Sequence, residues 1–416
     1  MKEALEQLYT FPRQLLGSGY DNALEYINQL IGLDVIEVDS GTQLGTWTVP
    51  NEWAPKEAWV KYKGKKIIDF AKEPMSLITH SLPFKGTLDL EELKKHIWSV
   101  KDKETGDDDG SIPFIFKFYD RDWGFACTQK QFDKLKEGEY EVFIDVEEKP
   151  GKMKLGVHTI KGKTDREILL FAHLDHAYMA NDNLSGVVCL LEVFKKAKDL
   201  EHTVKLVFCP ETIGSQAYIY TQDLSRVDFV AAVDICGNDS SVMFQKSWDD
   251  EARINRVVHC ALQIAGKQYR KGKFRTSIGS DETAFNDPSI GIPGILFTTW
   301  PYPEYHTNLD TPEKINYEKI SEVADLILKT IEIYEKDYIP VRVFKGPLMR
   351  SRYKIQSPVA RVNLIWDYLI YSIDGKKTLA EICSDMEMNF EEVYKIFEKI
   401  IDDSQMLRTP ARQNGQ

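Results

Sequence analysis

The chain has 416 residues, with 65 acidic side chains against 53 basic ones and a formal net charge of −12. Hydrophobic residues make up 43 % and charged residues 28 %, an ordinary globular balance in a chain long enough for two or three domains. The negative charge argues against nucleic acid and membrane surfaces as partners, and no apolar run of about 18 residues is present to span a membrane.

In chain order, residues 1–38 read as amphipathic helix, without the succession of basic, apolar and small residues that marks a signal peptide. From 39 to 150 the texture changes to short aromatic and β-branched runs (TWTVP, AWVKYKGKKIIDF, IPFIFKFY, WGFACT, YEVFIDVEE) broken by turn residues. That pattern predicts a mainly β module. One helix interrupts it, where Asp89 and Glu92 have capping-box spacing before LEELKKHIW. From 151 to 338, buried-strand runs (EILLFAHLD, HTVKLVFCPE, DFVAAVDICG, GIPGILFTTW) alternate with helices (SGVVCLLEVFKKAKDL, DEARINRVVHCALQIAGK, YEKISEVADLILKTIEIYEKD). Such alternation predicts a mostly parallel α/β sheet with helices on both faces.

Residues 339–357 are irregular and basic and read as a linker. Three helices follow from 358, and Thr378 to Leu407 has the rhythm of a helix-turn-helix. Between 358 and 407 ten acidic residues face five basic ones, so packing or oligomerisation is expected there rather than DNA binding. The final TPARQNGQ is expected to be disordered. Six cysteines without CxxC spacing point to reduced, buried thiols in a cytoplasmic protein.

The chemistry gathers where the predicted strands end. ILLFA runs into His173 and Asp175, and Asp182 opens the next helix. VKLVFCP runs into Glu211 and FVAAV into Asp234, while GILFTTW precedes PYPEYHTNLDT, which holds His306. In parallel sheets ligands sit at the carboxyl ends of strands. Converging histidines and carboxylates with an open position are what a catalytic zinc needs. His173 is the best ligand candidate, and Asp175 is expected to hold its second ring nitrogen. Asp182 is placed to bridge two metals, with Asp234 completing one shell and His306 the other. It would also serve as a helix N-cap. Glu211 is the expected general base. GSDETAF places Asp281 or Glu282 at the site rim, to receive a substrate amine. His80 in the β module either reaches over the cleft or is an ordinary loop histidine. Tyr305 either touches substrate or packs in the core.

In this order the motifs resemble the co-catalytic zinc aminopeptidases. More closely, ANDNLSG, PETIGS, GSDETAF and PEYHTNLDT, with THSLPFKG and DWGFACTQKQ, resemble a bacterial branch of that fold. That branch carries an inserted β domain and a C-terminal winged-helix domain, and it is often encoded beside polysaccharide-biosynthesis genes. The resemblance implies an aminopeptidase-like domain over 151–338 begun by 1–38, an inserted domain at 39–150, a linker at 339–357 and a winged-helix-like domain at 358–416. It implies zinc held by His173, Asp182, Asp234 and His306, with Glu211 as base, Asp175 orienting His173, and a cis Asp182–Asn183 bond.

The chain departs from that pattern at Thr212, where the peptidases carry a second glutamate that binds the second metal. The interval from His173 to Asp182 is also shorter than usual and contains His176. One zinc site is therefore expected to be well formed and the second weak or empty, with His176 either replacing the lost ligand or contacting substrate. The expected function is hydrolysis of a small peptide amide. The alternatives are an N-acyl hydrolase or acyl transferase acting on an acylated amino sugar, and a degenerate fold serving as a binding or scaffold protein. A homo-oligomer is left open.

Overall fold

Near-continuous Val, Ile, Leu and Phe runs make strands that are buried on both faces, and such strands occupy the middle of a covered sheet. The computed structural model, which describes residues 1–100, 110–266, 269–355 and 363–411, has an eight-stranded sheet at its centre. From one edge the strands are Asp34–Asp39, Lys152–Ile160, Thr203–Cys209, Glu167–His173, Val227–Val233, Gly294–Thr299, Val242–Gln245 and Arg270–Gly272. The four from Thr203–Cys209 to Gly294–Thr299 run parallel. Lys152–Ile160 and Val242–Gln245 flank them antiparallel, so the sheet is mixed.

Alternate residues face opposite ways along a strand. Ile168, Leu170 and Ala172 join a core with helices Gly186–Lys196, Arg253–Ala265 and Tyr317–Lys336. Leu169 and Phe171 join the core on the other face, against helix Ile213–Thr221. All six cysteines are buried and unbridged. No helix among the described residues is long and apolar enough to cross a membrane.

The β module has its own four-stranded antiparallel sheet, ordered Lys65–Asp69, Glu52–Tyr62, Tyr140–Lys149 and Phe84–Leu88, over a core of its own. Its helix Leu90–Lys94 begins as the sequence predicts, with the Asp89 carboxylate accepting from Glu92 N at 2.9 Å.

Four expectations change. Residues 34–39 are not helix: they pair with Lys152–Ile160 as the edge strand of the main sheet. IPFIFKFY makes only isolated bridges, Thr79 with Phe116 and Pro113 with Thr307. Its hydrogen bonds are split: Lys117 N donates to Thr79 O at 2.9 Å and Ile115 O accepts from Thr79 N at 3.1 Å within the β module, while Phe114 N donates to His306 O at 2.8 Å and Ile112 N to Asn308 Oδ1 at 2.8 Å. The 339–357 segment is not all linker, because Tyr338–Arg342 is a strand antiparallel to Met406–Pro410. That pairing orders Thr409 and Pro410, which the sequence places in a disordered tail; residues 412–416 lie outside the described residues.

The expected tail helices are Asn363–Tyr371, Leu379–Asp385 and Phe390–Asp402, with 358–362 outside the described residues. Leu369, Ile382 and Phe397 share one apolar core with Val257 and Ile327 of the main domain.

Candidate metal centre

The Glu167–His173 strand ends on the buried His173 ring. The loop that follows is shaped from outside itself. Arg13, fully buried, donates from Nε to Leu174 O and from Nη2 to His176 O and Met179 O, each at 2.9 Å. His176 sits at φ 67°, a left-handed conformation that only surrounding structure makes tolerable. Farther on, the Asp310 carboxylate accepts from Asn181 N at 2.7 Å and Asp182 N at 2.9 Å, and Tyr302 Oη donates to it at 2.9 Å. The Asp182–Asn183 peptide is cis.

These constraints set the Asp182 carboxylate among three imidazoles. His173 Nε2 lies 2.9 Å and His176 Nδ1 3.0 Å from Oδ1, and His306 Nε2 lies 3.0 Å from Oδ2. Asp234 Oδ1 is 3.9 Å from His173 Nε2, and Glu211 Oε2 is 3.5 Å from His176 Nε2. The expected residues His173, Asp182, Glu211, Asp234 and His306 thus meet at one edge of the sheet, and His176 joins them.

The β module roofs this cluster. The edge of Phe114 meets the rings of His176 and His306 at centroid distances of 5.3 and 5.5 Å, and Tyr305 stacks on His306 at 3.8 Å.

Burial raises carboxyl pKa values because it disfavours the charge. It pushes Glu211 up to about 8, the neighbouring His173 and His176 offsetting part of the rise, and Asp234 up to about 7. Burial opposes charge on the imidazoles, yet the acids outweigh it. Asp182 and Asp175 hold His176 up to about 9, and Asp234, Glu211 and Asp182 hold His173 well above its ordinary range. Burial would also raise Asp182, but His176, His173 and His306 keep it well below the usual carboxylate range.

The donor set fits a divalent cation. Three groups, His173–Asp182–Asp234, His176–Asp182–His306 and His173–His176–Glu211, each have ligand atoms within 4.8 Å of one another. Asp234 Oδ1 is buried without a hydrogen-bond partner, the state of an oxygen reserved for a ligand outside the chain.

Three expected roles move. Asp175 does not hold the second nitrogen of His173; its Oδ1 accepts from Glu211 N at 2.8 Å. The groups at His173 Nδ1 are Asn183 Nδ2 at 3.4 Å, Ser280 Oγ at 3.5 Å and Asp281 Oδ2 at 3.8 Å. Glu282 is not at a rim: it is buried, its Oε2 accepts from Ser280 N at 3.1 Å, and burial pushes its pKa up to about 8. His80 does not reach over the cleft. Its ring stacks on Trp53 at 5.7 Å and meets the edge of Phe118 at 5.1 Å, where burial pulls its pKa down to about 4. The sequence reading missed Arg13, Phe114 and the role of Asp310. Only Asp310 carried a local signal, inside the PEYHTNLDT motif.

A family model described as Domain of unknown function (DUF4910) matches residues 2–337. A relative from Clostridium acetobutylicum, named as a candidate polysaccharide biosynthesis protein with an aminopeptidase-like domain, is 29 % identical over 405 residues, 94 % of this chain and 92 % of that protein. The crystal structure of a candidate peptidase from Clostridium acetobutylicum superposes with a TM-score of 0.80 at 26 % identity, covering 98 % of this chain and 96 % of that one. A zinc aminopeptidase from Bacillus subtilis shares the fold, with a TM-score of 0.59 at 15 % identity over 79 % of this chain and 93 % of that one.

Proposed function

The chain belongs to the DUF4910 family, and from that premise we propose that it is a zinc-dependent amide hydrolase. The observation that carries this reading is the Asp182 carboxylate contacted by His173, His176 and His306. His173, Asp182 and Asp234 would hold one zinc. His176, Asp182 and His306 would hold a second, with His176 standing in for the glutamate that Thr212 replaces. Bound zinc supplies Lewis acidity, polarising a carbonyl and making water a better nucleophile near neutral pH.

The chain's own groups do the rest. Glu211 takes the proton of the attacking water and passes it to the amide nitrogen as the C–N bond breaks, leaving a carboxylic acid and an amine. Asp175 fixes the backbone of Glu211 and so aims its carboxylate. Burial and the nearby Asp182 and Glu211 charges raise the pKa of the Tyr305 hydroxyl, which stays a donor for the carbonyl oxygen as that oxygen gains charge.

The substrate is a small peptide amide or an acylated amino sugar, and the name of the Clostridium relative favours the second. Buried, unbridged cysteines support a cytoplasmic setting. Zinc analysis of the purified protein, followed by hydrolysis assays of wild type and Glu211→Gln, tests the reading. Zinc is expected in both, with turnover lost in the variant by about 10²–10⁴-fold. A protein that takes up no zinc and cleaves no amide is a scaffold instead.

A further inference from the structure

Thr212, Gln216 and Tyr220 follow Glu211 at four-residue spacing, which puts them on one face of the Ile213–Thr221 helix and its cap. Thr212 lines a cavity of about 120 Å³ with Glu211, His176, Phe114 and Trp47. Gln216 and Tyr220 line a groove of about 570 Å³ with Trp47, Thr46 and Thr283. Trp47 is a wall of both, so one helix stripe and one indole connect the candidate base to the groove.

The groove is built on the Gln43–Leu44 and Trp47–Thr48 hairpin. Tyr119, at the end of the segment that roofs the metal centre, fastens that hairpin: its hydroxyl donates to Thr48 O at 2.8 Å and accepts from Thr48 N at 3.0 Å. Gly45 lets Tyr220 close the other side, since a Cβ there would lie 2.8 Å from the Tyr220 hydroxyl.

The lining has a definite chemistry. Trp47 and Tyr220 offer aromatic faces, and Tyr220 is 56 % exposed. Among the described residues the side chains of Thr46, Gln216 and Tyr220 have no hydrogen-bond partner, so they are free to serve a ligand. Asp287 is the one charged side chain on the lining among the described residues, and it accepts from Ser289 N and Oγ at 2.8 and 2.5 Å. No cationic side chain among the described residues lines the groove to hold a phosphate or a peptide carboxylate. Neutral hydroxyl and amide groups beside aromatic faces suit a sugar ring, whose C–H face packs on π systems and whose hydroxyls form the hydrogen bonds. The volume is that of a small-molecule site.

We propose that cavity and groove form one elongated substrate site, in which the groove beyond Trp47 holds a neutral saccharide joined to the amide at Glu211. Which end reacts rests on the hydrolase reading; the binding does not. The test is calorimetric titration of the zinc-loaded full chain carrying Glu211→Gln, so that turnover cannot intervene. The probes are the β-linked disaccharide of N-acetylglucosamine and alanyl-alanine.

The disaccharide is expected to bind at least about tenfold tighter than the dipeptide, and Tyr220→Ala or Gln216→Ala, added singly, to weaken it about tenfold. Zinc content and melting temperature report whether each variant stays folded; both side chains line an open groove, and either variant alone suffices. Equal or tighter dipeptide binding, or disaccharide affinity unmoved by the variants, overturns the proposal. Saccharide binding by a protein whose wild type cleaves no amide would leave the groove assignment standing and remove the hydrolase reading. Cleavage of simple amides without saccharide binding would do the reverse.

Discussion

Arg13 Nη2 donates to the carbonyl oxygen of His176 at 2.9 Å, and this contact ties the N-terminal segment to the loop that carries one of the clustered imidazoles. The same guanidinium serves Leu174 O and Met179 O, and Nη1 donates to Leu8 O at 2.7 Å. Burial lowers its pKa to about 10, which still leaves it charged at neutral pH. A fixed, planar fork of donors is what lets one residue hold a left-handed turn in place.

Arg13→Met is therefore expected to destabilise the main domain by about 3–5 kcal/mol, because it leaves buried carbonyls without donors. Arg13→Lys should recover little of this, since one ammonium cannot span the same acceptors. Urea unfolding followed by fluorescence measures both. A loss under about 1 kcal/mol for the Met variant would mean that the loop holds itself.

Asp281 and Asp175 separate by function. Asp281, beside His173 Nδ1, is expected to set ring orientation, so Asp281→Asn should weaken zinc by about 10–100-fold in a chelator competition. Asp175 supports Glu211 instead. Asp175→Asn should keep zinc and lower kcat. The opposite pattern would return Asp175 to the role of histidine partner.

His176 decides the metal count. Wild-type protein is expected to bind two zinc ions, His176→Ala one, and Asp182→Asn neither, because Asp182 belongs to two of the three donor groups, the two proposed to hold zinc. Mass spectrometry of metal per chain checks this, and cobalt absorption shows which environment is lost. A His176→Ala protein that still holds two ions would leave His176 as a substrate or Glu211 contact.

Far from that site, His202 Nε2 lies 2.9 Å from Asp228 Oδ2 and Nδ1 3.4 Å from Glu335 Oε1. Burial opposes its protonation, but the two carboxylates outweigh that and raise its pKa. A folded-state pKa above the unfolded one stabilises the fold below the ordinary histidine range, and the contribution fades as pH rises through the raised value. The melting temperature of His202→Gln should therefore fall further below wild type at pH 6 than at pH 9. An equal gap at both would make the effect one of packing, not charge.

Element types were legible in the sequence because periodicity is local. Continuous apolar runs form the parallel strands, and the clustered acids and histidines stand where those runs stop, so His173, Glu211 and Asp234 are visible in the sequence alone. Asp182 and His306 were legible through their motifs. IPFIFKFY has the composition of a strand yet forms none, because its hydrogen bonds are divided between Thr79 of the β module and the His306 loop. Tyr338–Arg342 reads as irregular and becomes a strand because Met406–Pro410 arrives beside it.

The sequence by itself thus determined the parallel strands of the main sheet, most of the helices and the acids and histidines that stand at the strand ends, because apolar periodicity is set by neighbours a few positions away. The tertiary structure alone decided that Asp281 rather than Asp175 is the carboxylate beside His173, that Glu282 is buried, and that Arg13 and Phe114, far apart in the chain, line one cavity at the centre. A hydrogen bond or ring contact depends on which surfaces meet after packing, and residues distant in sequence carry no local trace of one another.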